Sequence, residues 1–149
     1  MIKILVFIAS SSLWFSTFFQ STPIVTQDPQ PSKELKDSML KGLEIYSSFC
    51  ISCHMQNGEG ISGAFPPLAK SDYLMKDRER SIHQVIFGVE GEIEVNGETY
   101  YGMMQPTGLN DEQVANVLNY VRNSWGNKDL KVITKEEVAK VRAKADEGK

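Results

Sequence analysis

Leu35, Met39, Gly42, Leu43, Tyr46 and Phe49 recur at steps of three and four through an otherwise polar stretch, the spacing of one helical face. The pattern predicts a first helix that ends at the cysteines. Over residues 54–70 the periodicity is lost to Gly58, Gly60, Gly63, Pro66 and Pro67, which predicts an ordered loop wrapped on something. Ser71 or Asp72 can cap a short helical turn through Met75, and Asp77 can start a helix to about Phe87 with Ile82, Val85 and Ile86 on one face. Gly88 and Gly91 end it. Ile93 and Val95, then Asn96-Gly97, then Thr99 and Tyr101 predict a small hairpin around a tight turn.

The clearest element begins at Asn110, where Gln113 completes a capping-box pattern and Asp111 and Glu112 suit the positive end of a helix dipole. Val114, Val117, Leu118, Val121 and Trp125 form its apolar stripe, with Gly126 as the stop. Thr134 and Glu137 repeat the capping pattern ahead of Val138, Val141 and Ala145, so a last helix either lies on the body or projects from it. Helices dominate, and no internal repeat is visible.

A chain of 149 residues has room for one compact domain with modest appendages. Residues 1–21 begin Met-Ile-Lys, continue in an apolar run from Ile4 to Phe19 and exit into polar residues, the layout of a secretory signal. As a helix the run reaches about 24 Å, short of a hydrocarbon core of about 30 Å. Both a cleaved signal and a retained N-terminal anchor are compatible with it. Residues 22–32, rich in proline and polar side chains, form a linker. The domain follows over 33–127, and 128–149 make a helical tail. From 22 to 127 there are 8 basic and 14 acidic residues, a net of −6, whereas 128–149 hold 7 and 5, a net of +2. An acidic body repels nucleic acid and anionic lipid, so no nucleic acid is expected as a partner, and a membrane only if the N-terminal segment is retained.

Export would make two cysteines a candidate disulfide. Here Cys50 and Cys53 stand three positions apart, followed by His54. On a helical turn both thiols point to one side and can form thioethers with the two vinyl groups of a haem, and the next histidine can offer a neutral nitrogen to its iron. A thioredoxin-type redox pair would need a preceding strand in a βαβ context, and a zinc site would need more ligands than the one remaining histidine, His83, supplies. The spacing therefore predicts one covalent haem c.

Beyond the motif, residues 35–127 resemble the class I, mitochondrial-type cytochrome c family. Gly42 and Tyr46 stand eight and four positions before Cys50, where that family crosses its first and last helices. The resemblance implies an all-α class I cytochrome c fold wrapped around one haem, here with a small hairpin and an extra C-terminal helix. It implies that Pro66, in Pro66-Pro67-Leu68, accepts the other imidazole N–H of His54. It also implies a methionine as sixth ligand: Tyr100-Tyr101-Gly102-Met103-Met104 matches the family's Y-x-G-x-M form at Met104. The proline that usually follows is displaced by Gln105, which leaves Met103 as a rival. The run Leu118–Asn127 with Thr134–Val138 looks most like cytochrome domains that accompany copper nitrite reductases.

With His54 and Met104 both bound, iron has no open position, and the thioether raises its potential. The reading is an exported, periplasmic single-electron carrier, not an enzyme, serving redox partners such as a dehydrogenase or a copper nitrite reductase. Two alternatives remain: a haem enzyme or gas sensor with a displaceable methionine, and a tethered electron-entry subunit that docks through its basic tail. Arg80 and Tyr73 are candidates to bond a haem propionate. His83 is read as a surface histidine. Glu90, Glu92, Glu94 and Glu98 form either a solvated face or an acidic docking patch.

Overall fold

The computed structural model describes residues 29–147, so the predicted signal or anchor and most of the linker lie outside the described residues. Ser32 opens the first helix, α1 (Lys33–Phe49), its hydroxyl accepting the Leu35 N–H at 3.1 Å. One further turn, α2 (Ile51–His54), follows Cys50 directly. After the loop come α3 (Asp72–Lys76) and α4 (Arg78–Phe87), capped by the side chains of Ser71 and Asp77. A hairpin of β1 (Val89–Val95) and β2 (Glu98–Met104) leads to α5 (Asp111–Val121) and then to α6 (Lys135–Glu147).

The core is built on α5. Val114, Ala115, Val117, Leu118 and Val121 are all buried, with Asn116 and Asn119 among them. A helix is buried on most sides only when it has partners on most sides: α1 and α6 pack against α5, and a cavity borders Val117, Leu118 and Val121. The predicted capping box is complete, Asn110 Oδ1 accepting the Gln113 N–H and Gln113 Oε1 the Asn110 N–H, each at 3.0 Å. Two buried amides of α5 are bonded: Ser38 Oγ donates to Asn116 Oδ1 at 2.6 Å, and Asn119 exchanges two bonds with the Ile133 backbone at 2.8 and 2.9 Å. Asn119 thereby stitches the approach to α6 onto the core.

At the crossing of α1 and α5, a Cβ on Gly42 would overlap the Asn116 carbonyl oxygen and lie 2.7 Å from the Tyr120 Cβ. Tyr46, Tyr120 and Trp125 fill the wedge beside it, with ring centroids 5.0–5.5 Å apart. The predicted α1 stripe is narrower than its spacing suggested: Leu35, Gly42 and Tyr46 are buried and Phe49 borders a cavity, but Leu43 is 42% exposed. One tight crossing covers only one narrow strip of a helix.

Two other expectations are corrected. Helix α5 ends at Val121 instead of running to Gly126, because Asn123 and Asn127 side-chain amides donate to the Asn119 and Val121 carbonyls at 3.0 and 2.8 Å, taking the place of helical N–H groups. Trp125 then turns back with a φ of 52°. The hairpin is longer than predicted, since pairing continues from Val95↔Glu98 through Gly91↔Gly102 to Val89↔Met104. Asn96 and Gly97 both have positive φ at the turn, as a two-residue connection matching strand twist requires. The domain is thus helix-rich with one two-stranded sheet.

The last helix lies on the body. Ile133, Val138 and Val141 are buried in the core cluster, and Asp129 accepts from Arg78 at 3.0 Å and Arg122 at 2.8 Å. Glu137 accepts a second bond from Arg78 at 2.6 Å.

Candidate cofactor site

Cys50, Cys53 and His54 share one wall of a cavity of about 510 Å³, within the range of ligand sites, about 300–1,000 Å³. The turn that presents them is held by His54 N–H to the Cys50 carbonyl at 2.9 Å and Cys50 N–H to the Tyr46 carbonyl at 2.9 Å. Both thiols are free. Burial pushes the Cys50 thiol up to about 11, and neighbouring Cys53 adds to the shift.

Across residues 55–70 the loop folds back under His54. Met55 reverses the chain with a φ of 63°, and its carbonyl accepts from the Tyr46 hydroxyl at 2.6 Å. Leu68 and Ala69 N–H groups donate to the Gly58 carbonyl at 2.7 and 2.9 Å, and Asn127 donates to the Leu68 carbonyl at 2.7 Å. His54 Nδ1 stands 3.0 Å from the Pro66 carbonyl oxygen. A carbonyl only accepts, so Nδ1 carries the proton and Nε2 keeps its lone pair. Burial lowers the imidazole pKa, with the bond to Pro66 opposing in part, so the ring is neutral at pH 7. Gly60 permits this approach: a Cβ there would overlap the Phe65 carbonyl oxygen and lie 2.8 Å from the Pro66 carbonyl.

The hairpin supplies another part of the lining. Val89, Gly91, Ile93, Val95, Tyr100, Gly102 and Met104 alternate onto the face that lines the cavity. Met103 also borders it, but falls on the opposite register and is 63% exposed, whereas Met104 is half-buried. The outer face carries Glu90, Glu92 and Glu94 opposite Met103, Tyr101 and Thr99. Glu98 leaves that series, its carboxylate accepting from Ser62 at 2.5 Å and Tyr100 at 2.9 Å.

No Asp, Glu, Lys or Arg among the described residues lines the cavity. Tyr73 does line it, with Gln84 donating to its hydroxyl at 2.7 Å. Arg80 does not, and instead stacks over the Tyr73 ring at 3.7 Å. His83 is exposed against Phe87, away from the cavity. From the sequence Gly58 and Gly60 are expected only as breakers of a loop, and no role is expected of Asn127. Gly58 is the seat of the Trp125 ring, and only the density of glycines between His54 and Pro66 hinted at such close approaches.

An apolar cavity lined by paired thiols, one imidazole nitrogen and a thioether suits a flat apolar macrocycle carrying a soft-ligand metal. Such a lining fits a haem of the c type. Comparison with known proteins agrees: a family model described as cytochrome c matches residues 39–125. Cytochrome c-552 of Thermus thermophilus is 46% identical over 112 residues, covering 69% of this chain and 85% of the relative. The cytochrome c subunit of the quinone alcohol dehydrogenase of Gluconobacter oxydans is 30% identical over 105 residues, covering 68% of this chain and 22% of that subunit. That of gluconate 2-dehydrogenase from Pantoea cypripedii is 34% identical over 131 residues, covering 82% and 29%. The chain belongs to the cytochrome c family, as a class I c-type cytochrome: an electron-transfer protein, not an enzyme, with one covalently attached haem c and its iron.

Proposed function

We propose that Cys50 and Cys53 would carry the two thioether bonds to the haem, and that His54 through Nε2 and Met104 through its sulfur would be the ligands to its iron. Pro66 holds the imidazole in one tautomer and one orientation. The observation that carries the reading is that Cys50, Cys53, His54 and Met104 all line one apolar cavity. When bound, the haem supplies a one-electron couple at its iron. The chain's own part is to exclude water through Val117, Leu118, Val121 and the hairpin face, and to keep both ligands fixed so that little rearranges between oxidation states. Residues 33–127 form the carrier, and 128–147 clasp it.

The physiological reading is an exported carrier in the periplasm. The relatives that are dehydrogenase cytochrome subunits support a quinone-linked dehydrogenase as electron donor. A terminal acceptor such as a copper nitrite reductase would then receive the electron. The same relatives favour a second reading, in which the chain is the electron-entry subunit of such a dehydrogenase. No helix among the described residues is long and apolar enough to cross a membrane.

Expression with haem-attachment machinery tests the assignment. The wild type is expected to keep its haem through denaturing electrophoresis and to titrate reversibly with one electron. Cys50→Ala with Cys53→Ala should lose covalent haem, and retention in that double variant would refute the thioether assignment. Lys131→Glu with Lys140→Glu, both exposed on the tail, separates the two functional readings: a tail-docked subunit loses co-purification with its dehydrogenase, and a free carrier does not change.

A further inference from the structure

We propose that Gly88 is a positioning residue for the sixth ligand, the seat on which the main chain of Met104, Gln105 and Pro106 rests, with Thr107 as its latch. The proposal rests on the assignment of Met104 as that ligand. Gly88 ends α4 with φ 84° and ψ −173°, a region that only glycine enters without strain. Its N–H donates to the Gln84 carbonyl at 2.8 Å. A Cβ on Gly88 would overlap the Met104 carbonyl oxygen and lie 3.1 Å from the Pro106 nitrogen and 3.2 Å from the Gln105 carbonyl carbon. All three are backbone atoms of one segment, so no rotamer change relieves the overlap.

The same segment is held on both sides of that seat. Before it, Met104 pairs with Val89 at the end of the ladder. After it, Thr107 Oγ1 donates to the Val85 carbonyl at 2.7 Å, in the last turn of α4. Thr107 Oγ1 also accepts the Leu109 N–H at 3.4 Å, which carries the constraint toward the start of α5. A methionine side chain has three soft torsions, so its sulfur is only as well placed as its backbone. Ligand geometry tolerates displacements of about 0.5 Å, and the overlap at Gly88 exceeds that. Pro106, whose ring would stiffen the chain, stands one residue beyond Gln105. The seat and latch do that work at Met104 itself.

The test uses the haem-loaded full chain with Gly88→Ala, Thr107→Val, Met104→Ala and, as control, Gly63→Ala. Gly63 also has a positive φ, 72°, and nothing lies within 4 Å of its would-be Cβ, so it tests a positive-φ substitution without the overlap. Covalent haem content is matched, and two signals are read: the methionine-to-iron charge-transfer band of the oxidised form, and carbon monoxide binding by the reduced form. Gly88→Ala is expected to lose the band at neutral pH and to bind carbon monoxide at least tenfold faster than wild type. Thr107→Val should change in the same direction, and Gly63→Ala should match the wild type. The band lost in Met104→Ala but kept in both Gly88→Ala and Thr107→Val overturns the proposal alone. The band kept in Met104→Ala overturns the ligand assignment and the proposal with it. Should Gly88→Ala not fold, Thr107→Val decides: faster carbon monoxide binding supports the latch, and an unchanged rate overturns it.

Discussion

Gly42→Ala should destabilise this protein although it improves a helix. In a helix interior alanine is more favourable than glycine by about 1 kcal/mol, so without a tight neighbour the change would stabilise. Here the new Cβ overlaps the Asn116 carbonyl oxygen and lies 2.7 Å from both the Asn116 carbonyl carbon and the Tyr120 Cβ. Carbon contacts are optimal at about 3.5–4.0 Å, so the axes of α1 and α5 must part by about 1 Å. Separation on that scale forfeits about a quarter to a half of each dispersion contact along the crossing. Overpacking costs about 1–3 kcal/mol, and the upper end applies because the atoms struck are mostly backbone. The net is a loss of about 2 kcal/mol, or a midpoint lower by roughly 8 °C for a domain of this size. Urea and thermal unfolding of the haem-loaded protein measure it, with exposed Ser47→Ala on the same helix as the propensity control. A midpoint equal to or above the wild type would refute the claim that backbone-to-backbone contact sets this crossing.

Asp129→Ala should cost about 3 kcal/mol, since it leaves Arg122, 5% exposed, with a buried uncompensated charge; denaturant titration checks it, and a loss below about 1 kcal/mol would contradict it. Burial raises the Asp129 pKa, but bonds and charge from Arg122, the Lys131 N–H and the Arg78 charge outweigh it and hold the carboxyl below its ordinary 3.8. Its stabilisation is therefore fully present above about pH 4 and is lost as pH falls through the depressed value; Asp129→Asn should flatten the acid limb of the stability curve, and an unchanged limb would contradict the linkage. Trp125→Ala removes the ring that rests on Gly58 and Tyr46 and should cost about 3–5 kcal/mol, read as a lowered urea midpoint. Gly60→Ala should shift the imidazole proton resonances of His54 by pushing the Pro66 carbonyl away, and unchanged resonances would show that the loop absorbs the extra carbon elsewhere.

The parts of this molecule visible in its sequence are those governed by local spacing. Cys50, Cys53 and His54 lie within one turn, so their shared direction follows from helix geometry alone. Asn110 and Gln113 form the capping box that their spacing announced. Pro66 stands where the resemblance placed it, 3.0 Å from His54. What depended on long-range pairing was harder to read. The full extent of the hairpin required knowing that Val89 meets Met104, and only that register separates inward Met104 from outward Met103. Leu43 fits the α1 period yet is exposed, because the period says which residues share a face but not how wide the partner is, whereas Phe49 borders the cavity. Arg122, a charged residue in the run Leu118–Asn127, is buried because Leu74, Met75, Ser81 and Asp129 all turn acceptors toward it. No local pattern announces four acceptors drawn from three different segments.

The central proposal is that His54 and Met104 would both ligate the iron and so leave the haem a carrier without an open position. The most direct measurement is the optical spectrum of the oxidised protein beside Met104→Ala and Met103→Ala. The account predicts a methionine-to-iron charge-transfer band in the wild type and in Met103→Ala, lost in Met104→Ala. A band that survives in Met104→Ala and vanishes in Met103→Ala would contradict it.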